Sequence, residues 1–394
     1  MTKIDRNSLV DSQDKTTVRK YRIAVAALFF LQGLCFASWA SRIPDIQTKL
    51  GLSEAALGMV LLGLPVGLLI SLPFSGWMIF KMGSRTVVAV GLLLYACVLI
   101  AIGSAETKWE LVAYLFLFGF AGNMSNIAIN TQAVSVEGLY KRPIMASFHG
   151  LWSLAGFAAA IIGSFMVSNS VLPFLHFIIT GIVVVLVFAL CYRYTVRNEN
   201  NKKATSKLLI LPEKSLVRLG IIAFCSMICE GAMFDWSGVY FNKVIMAEKA
   251  WRSSGYMAFM STMAAGRFIA DSFTHRFGLH RTLQLSGCLI CAGLIISITF
   301  PVLIAGIIGF LLVGFGVSSV IPLVYSAAGK SKVLEVGIAI TAVSTIGFFG
   351  FLLGPPLIGF VAGVSSLRVS FFIIALMGFT IFLMAKAIHV PRSE

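Results

Sequence analysis

Two carboxylates, Glu230 and Asp235, lie between Leu219 and Tyr240 in an apolar segment long enough to cross a membrane. An ionisable side chain in such a segment is costly, and burial disfavours its charged form, as a proton-binding site requires. At about 1.5 Å per residue, Glu230 lies about 16 Å and Asp235 about 24 Å into a core about 30 Å thick. Glu230, near the midplane, is therefore the first candidate for proton coupling and Asp235 the second. They are roughly 140° apart around the helix and need not share a face; the alternative role is a structural carboxylate hydrogen-bonded to a neighbouring helix.

Amide side chains form a second group of candidates. Asn123, Asn126 and Asn130 follow an i, i+3, i+7 spacing, which places them on one helical face. They can hydrogen-bond a solute or join neighbouring helices, and Gln32 is a similar candidate. His149, near the start of another apolar segment, is more typical of a gate or packing residue than of a proton carrier.

Three tryptophans, Trp39, Trp152 and Trp236, could stack on the apolar faces of a sugar-like solute while the indole N–H binds a hydroxyl. For Trp39 and Trp236 the alternative is an interfacial aromatic belt. Arg42, at the outer end of the first segment, could pair with Asp235 and close an outer gate, or extend to the interface. The 32 phenylalanines are expected mostly in packing or at the lipid surface.

Composition sets the environment of these residues. Of 394 residues, 58% are hydrophobic and 12% charged, against about 25% charged in a soluble domain, and the mean hydropathy is +0.92. These values exclude a soluble enzyme, a disordered chain and a secreted disulfide scaffold, and predict a polytopic membrane protein. The seven cysteines fall in apolar stretches and are interpreted as packing residues, so neither a metal site nor a cofactor is expected.

Apolar runs of about 20 residues predict twelve membrane-spanning helices. They are Ile23–Ile43, Ala56–Ile79, Thr86–Ser104, Leu111–Val134, Ile144–Val167, Val171–Cys191, Leu219–Tyr240, Tyr256–Phe273, Leu283–Ile298, Val302–Ser326, Ile338–Val361 and Val369–Ile388.

Charge distribution predicts the orientation. An even number of spans puts both termini on one side, and 24 of the 31 Lys and Arg residues lie on that side. The positive-inside rule then predicts cytoplasmic termini in a bacterial inner membrane. It also explains the net charge of +15 without nucleic acid as a partner.

The longest polar stretch divides the chain into two similar halves. The predicted organisation is a cytoplasmic tail (1–22), a six-helix bundle (23–191), a cytoplasmic central loop (192–218), a second six-helix bundle (219–389) and a cytoplasmic tail (390–394). Ser153-x-x-Gly156-x6-Gly163 recurs as Ser344-x-x-Gly347-x6-Gly354, and Trp39 and Trp236 are 197 residues apart. Two six-helix repeats around a central path predict an all-helical secondary transporter.

A tight glycine turn with flanking basic residues follows the second and the eighth span. The segments are 76–85, GWMIFKMGSR, and 275–281, HRFGLHR. They resemble the cytoplasmic loop motif of the major facilitator superfamily (MFS), as do the twelve spans and the central loop. The resemblance implies a latch between the cytoplasmic ends of the halves, made by Lys81, Gly83, Arg85, Arg276, Gly278 and Arg281. A positive-inside turn is the alternative, because Phe80 replaces the family's aspartate and Asp271 lies four residues before its usual place.

Three strings resemble more narrowly the MosC-like branch of this family: WASRIP from Trp39, SFHGLWS from Ser147 and AGRF from Ala265, which adds Arg267 to the gating candidates. That branch includes a rhizobial protein linked to rhizopines, which are inositol-like, and so implies a small polyhydroxylated solute. Gly354-Pro355-Pro356 in the eleventh span predicts a helix bend.

The sequence therefore predicts a proton-coupled, alternating-access transporter of a small polar organic solute, sugar or cyclitol-like, acting as a monomer in the lipid bilayer. Efflux of amphipathic compounds is the alternative within transport, and a non-transporting sensor or scaffold is the alternative outside it. No Walker-type loop occurs, which argues against ATP-driven transport. No nucleophile–base or metal-ligand set occurs either, which argues against an enzyme.

Overall fold

The computed structural model describes residues 3–140, 144–197, 214–329 and 336–386, in which it contains helices and no strand. The α-helices are α1 (Lys3–Lys49), α2 (Glu54–Leu61), α3 (Gly63–Met82), α4 (Ser84–Ser104), α5 (Lys108–Tyr140), α6 (Met145–Ser168), α7 (Pro173–Tyr192), α8 (Lys214–Lys243), α9 (Ser254–Phe277), α10 (Leu279–Thr299), α11 (Leu303–Ala328), α12 (Val336–Val364) and α13 (Leu367–Lys386). A short 3₁₀ helix, Lys249–Trp251, precedes α9.

The helices reproduce the predicted spans, but α5 extends six residues beyond the predicted end at Val134, and two further differences occur. The second span is divided at Leu62 into α2 and α3, and the helices of the first and seventh spans begin earlier than predicted, at Lys3 and Lys214. Among the described residues, eleven segments are long and apolar enough to cross a membrane. The remaining helix, α9, occupies the place of the eighth predicted span. The predicted all-helical fold of two six-span bundles is confirmed.

The N-terminal half is α1–α7 and the C-terminal half is α8–α13. We call the end of the molecule where α1 begins and α13 finishes the terminal end, and the other end, where α1 finishes at Lys49, the far end. The predicted turn recurs at the terminal end of both halves. Gly83 and Gly278 have φ of +80° and +81°, a region that favours glycine, and each lies between two helices. This matched geometry supports the internal repeat.

The two halves are in close contact at the far end. Lys243 Nζ of α8 lies 2.6 Å from Glu54 Oε1 of α2, and Ser164 Oγ of α6 donates a hydrogen bond of 2.6 Å to the Ala250 carbonyl. Helices α2 and α12 cross where Gly58 meets Gly359, so closely that a Cβ on either would lie under 3.0 Å from the other's Cα. Small residues at a crossing allow such backbone contact.

A second contact between the halves runs along α6 and α9. Phe268 of α9 packs against Gly150 of α6, and Met260 of α9 packs against Gly156. The two glycines lie six residues apart along α6, about 120° apart around it, and side chains of α9 pack against both. We call this contact the α6–α9 seam; it borders the cavity described next.

Candidate functional site

A cavity of about 310 Å³ lies between the halves near the middle of the helices. Helices α1, α3, α4, α5 and α6 form one wall, and α8, α9 and α12 form the other. The lining residues are Phe29, Gln32, Phe36, Leu64, Pro65, Leu68, Tyr95, Phe118, Gly119, Gly122, Asn123, Asn126, His149, Trp152, Glu230, Gly231, Phe234, Asp235, Arg267, Phe348 and Phe351. Both halves thus contribute polar and aromatic groups.

The cavity is continued toward the terminal end. A second opening shares Asn126 with it and is lined further along α5 by Ile127, Asn130, Thr131 and Val134. Because α5 finishes at the terminal end, these residues lead from the cavity toward that end. The close contact of the halves thus lies at the far end, and the second opening lies on the terminal side of the cavity.

Glu230 lies in the wall that the C-terminal half contributes, and it pairs with a cation that also contacts the N-terminal half. Arg267 Nη2 of α9 lies 3.6 Å from Glu230 Oε1, and its Nη1 donates a hydrogen bond of 2.7 Å to Ser153 Oγ of α6. Glu230 is only 8% exposed, so the nearby guanidinium offsets part of the cost of burying its charge. Arg267, predicted as a gating residue, therefore lies inside the site.

Asp235 also lines the cavity, so the two carboxylates share it despite their angular separation. The cavity contacts α8 over an arc of about 140°, which includes Gly231 and Phe234. Within the part of the chain that the structure describes, Asp235 has no hydrogen bond or ion pair. The wall therefore holds one paired and one unpaired carboxylate.

The amides of α5 have different roles. Asn123 lines the cavity, and its Nδ2 donates to Ser71 Oγ at 2.7 Å and to the Leu68 carbonyl at 3.1 Å, so it also joins α5 to α3. Asn126 lines the cavity and accepts a hydrogen bond of 2.9 Å from Asn130 Nδ2 of its own helix. Asn123 therefore joins two helices, and its binding of a solute stays a prediction, whereas Asn126 makes no such link to another helix in the described residues.

Gln32 and His149 also line the cavity. Gln32 Nε2 donates to the Gly122 carbonyl at 3.0 Å, which joins α1 to α5, while its Oε1 has no partner among the described residues. The His149 ring packs edge-on against Phe29, with centroids 5.1 Å apart.

The structure separates the three tryptophans. Trp152 lines the cavity, as predicted. Trp39 and Trp236 do not: both are 0% exposed and lie in the helix core, so the prediction that they line the cavity is wrong for this state, and so is the aromatic-belt alternative. Each indole Nε1 also lacks a hydrogen-bond partner within the described residues. Hydropathy places a residue at a depth in the bilayer but does not tell which helix covers it.

Phenylalanines form much of the aromatic wall of the cavity. From the sequence they were expected mostly in packing or at the lipid surface, and this role was not predicted. Phe234 lies 5.1 Å from Phe36 and 6.2 Å from Trp152 between ring centroids, and stacks on Phe351 at 6.5 Å with an interplanar angle of 3°. The cluster spans both halves. A sequence signal existed: Phe234 follows Glu230 by four residues and so shares its helical face.

Arg42 does not pair with Asp235, and that prediction is wrong. Its Nε lies 2.7 Å from Asp45 Oδ2, three residues along the same helix, and its Nη2 donates to the Val171 carbonyl at 2.6 Å. A carboxylate one turn away lies within easy reach of the guanidinium. Arg42 thus joins α1 to the segment before α7, within the N-terminal half.

The basic residues of the first predicted latch contact aromatic rings of their own half. Lys81 Nζ lies 5.0 Å from the ring centroid of Trp77, and the Arg85 guanidinium lies 4.4 Å from that of Tyr192. These are cation–π distances. A latch between the halves at these residues stays a prediction for another conformation.

The second predicted latch is arranged similarly. The Arg276 guanidinium lies 5.4 Å from the Phe277 ring, and Arg281 is exposed. The side chain of Asp271 lies outside the described residues. Gly354, Pro355 and Pro356 lie within α12, which is helical from Val336 to Val364, and a bend there stays a prediction.

Comparison with known proteins gives consistent matches over most of the chain. The sequence model of the Major Facilitator Superfamily matches residues 25–332. An uncharacterized MFS-type transporter of Yersinia pestis is 32% identical over 368 residues, which cover 93% of this chain and 95% of that protein. Membrane protein MosC of Rhizobium meliloti is 31% identical over 360 residues, which cover 89% of this chain and 86% of MosC.

Solved structures share the fold at low sequence identity. The nucleoside transporter NupG superposes with a TM-score of 0.73 at 16% identity, covering 93% of this chain and 98% of NupG. The fucose:proton symporter FucP of E. coli superposes with a TM-score of 0.60 at 18% identity, covering 93% of this chain and 98% of FucP.

Proposed function

Because the chain belongs to the major facilitator superfamily, we propose that it is a secondary active transporter that moves a small polar organic solute, sugar or cyclitol-like, together with protons. The observation that carries this proposal is the cavity between the halves. Its wall combines amides, carboxylates and a guanidinium with the faces of Trp152 and several phenylalanines. The hydroxyl groups of a solute hydrogen-bond to the amides, the carboxylates and the guanidinium. The apolar faces of a sugar-like ring stack on the aromatic rings.

The cavity size favours a small solute over a large amphipathic one. A volume of about 310 Å³ is at the lower end of the roughly 300–1,000 Å³ of small-molecule sites. Its charged and amide groups match hydroxyls better than the apolar scaffold of an amphipathic compound. Solute efflux in exchange for protons remains the alternative that the transport assay below distinguishes.

Glu230 is the proposed proton-coupling residue. It is a nearly buried carboxylate in the cavity wall and faces a cation that contacts the other half. A change of its charge therefore alters both the solute site and a contact between the halves, which is what coupling requires. Asp235 is the second proposed proton-binding residue, because it shares the cavity and has no partner among the described residues.

The same geometry supports alternating access. The halves touch at the far end, and the cavity continues toward the terminal end, so rocking of the halves would expose the cavity to the far side. The basic-residue count supports cytoplasmic termini in a bacterial inner membrane, which makes this state inward-facing. We retain the bundle boundaries 23–191 and 219–389 and a monomeric protein as part of the proposal.

Reconstitution of the full chain into proteoliposomes tests this function. Sugars, polyols, organic acids and amphipathic dyes would be offered with and without an imposed pH gradient. We expect a sugar or polyol to accumulate only when the gradient is present. Gradient-driven movement of dyes alone would favour the efflux alternative, and movement of none of these solutes would favour a sensor or scaffold.

A further inference from the structure

We propose that Arg267 is a positioning residue that transmits the protonation state of Glu230 to the contact between the two halves, through its hydrogen bond with Ser153. This inference rests on the proposed proton coupling at Glu230. It adds the route by which the proton would change the conformation.

The α6–α9 seam provides the site of this contact. Residues Gly150, Ser153 and Gly156 are spaced by three along α6 and face α9. Phe268 and Met260 of α9 pack onto the two glycines, and Arg267 bonds the serine between them. Ser153 is 0% exposed, so its hydroxyl lies inside the seam. The bond to Arg267 is thus a polar contact between the two glycine contacts of the seam.

The guanidinium of Arg267 contacts Ser153 and Glu230 at the same time. Its Nη1 is 2.7 Å from Ser153 Oγ, a short hydrogen bond, whereas its Nη2 is 3.6 Å from Glu230 Oε1, an ion pair without a short bond. The planar fork of arginine allows this simultaneous contact, which a lysine ammonium on a single atom reproduces poorly. The position of Arg267 therefore depends on both Glu230 and the other half.

Protonation of Glu230 removes the countercharge of Arg267. The other groups that face the pair are Tyr256 of α9 and Tyr325 of α11, near Glu230, and His149 of α6, near Arg267. None of them is a carboxylate. A poorly solvated guanidinium without a countercharge is costly, so Arg267 turns away from Glu230 and toward the cavity that it lines. This movement breaks the bond to Ser153 and loosens the seam.

A matched control lies on the same helix. Ser164 of α6 also makes a hydrogen bond across the halves: its hydroxyl donates to the Ala250 carbonyl at 2.6 Å, and this bond involves no ionisable group. Ser164→Ala therefore removes one polar contact between the halves, as Ser153→Ala does, without touching the Glu230–Arg267 pair.

The test measures the distance between the halves as a function of pH in the full-length protein. Spin labels would be placed at Val134 of α5 and Ile269 of α9, both exposed, in a chain whose native cysteines are replaced. We expect the parent and Ser164→Ala to change distance distribution with pH. Ser153→Ala should shift the equilibrium toward the separated seam roughly 10- to 140-fold, as loss of a hydrogen bond to a charged group implies, so its distance distribution should change little with pH.

Ser153→Thr keeps the hydroxyl and should restore the response, which separates the bond from a simple effect on packing. Glu230→Gln should abolish it. If Ser153→Ala responds to pH as the parent does while Glu230→Gln does not, this route is wrong and coupling at Glu230 stands. If Glu230→Gln still responds fully, coupling at Glu230 and this route both fail.

Discussion

The contact of α2 with α12 predicts that one methyl group opens the far end. In Gly359→Ala, the new Cβ would lie 2.6 Å from the Glu54 carbonyl oxygen and 2.8 Å from Gly58 Cα. Both are backbone atoms and cannot rotate away. Ordinary contact begins near 3.4 Å, so the two helices must separate by about 0.8 Å at this point.

The magnitude follows from the cost of overpacking. Inserting a methyl group into a well-packed contact costs about 1–3 kcal/mol. That cost falls on the state in which the far end is closed and is relieved when the halves separate there. At about 1.4 kcal/mol per tenfold, the population of the far-end-open state should rise roughly 5- to 150-fold relative to the closed state.

Thiol labelling measures this population. Ser237 of α8 is 1% exposed and lies in the far half of the helix, so a cysteine there should react with an impermeant reagent only when the far end opens. We expect Ser237→Cys to react faster in the Gly359→Ala background by the factor given above. Gly138→Ala in α5 is the matched control, because nothing lies within 4 Å of its added Cβ. Equal labelling rates in both backgrounds would refute the gating role of the crossing.

Three further predictions concern one ion pair, the amides of α5 and the orientation of the chain. The pair of Lys243 and Glu54 is partly exposed, so Lys243→Met should change the rate of transport less than about fivefold, and salt should erase the difference. Asn123→Ala should lower the free energy of unfolding by about 1–3 kcal/mol, because it leaves buried hydrogen-bond partners unsatisfied. Asn126→Ala should leave the melting temperature nearly unchanged and weaken solute binding roughly 5- to 150-fold. A reporter fused after Glu394 should be active only in its cytoplasmic form; periplasmic activity would overturn the predicted orientation.

The fold could be predicted from the sequence because each membrane-spanning helix needs about 20 predominantly apolar residues. The sequence also singles out Glu230 and Asp235, which line the cavity, since an ionisable residue stands out in such a segment. The break at Leu62 was not foreseen, because the apolar run continues through it.

The faces of the helices were harder to predict. The hydropathy of Trp39 and Trp236 does not distinguish them from aromatic residues that line the cavity. Only the packing of neighbouring helices shows that both tryptophans are buried in the helix core. Phe36 and Phe351 illustrate the reverse: among 32 phenylalanines, composition does not single out the few that face a solute site. In a membrane, side chains toward lipid and toward the core are alike in polarity, so hydropathy does not separate them.

The central claim, that a proton on Glu230 drives solute accumulation, is tested most directly by Glu230→Gln in proteoliposomes. The amide keeps the shape and much of the hydrogen bonding of the acid but does not titrate. We expect the variant to bind and exchange solute across the membrane, with a flattened pH dependence of binding, and to fail to accumulate solute under an imposed pH gradient. Accumulation by the variant equal to that of the parent protein would contradict the claim and would direct the search to Asp235.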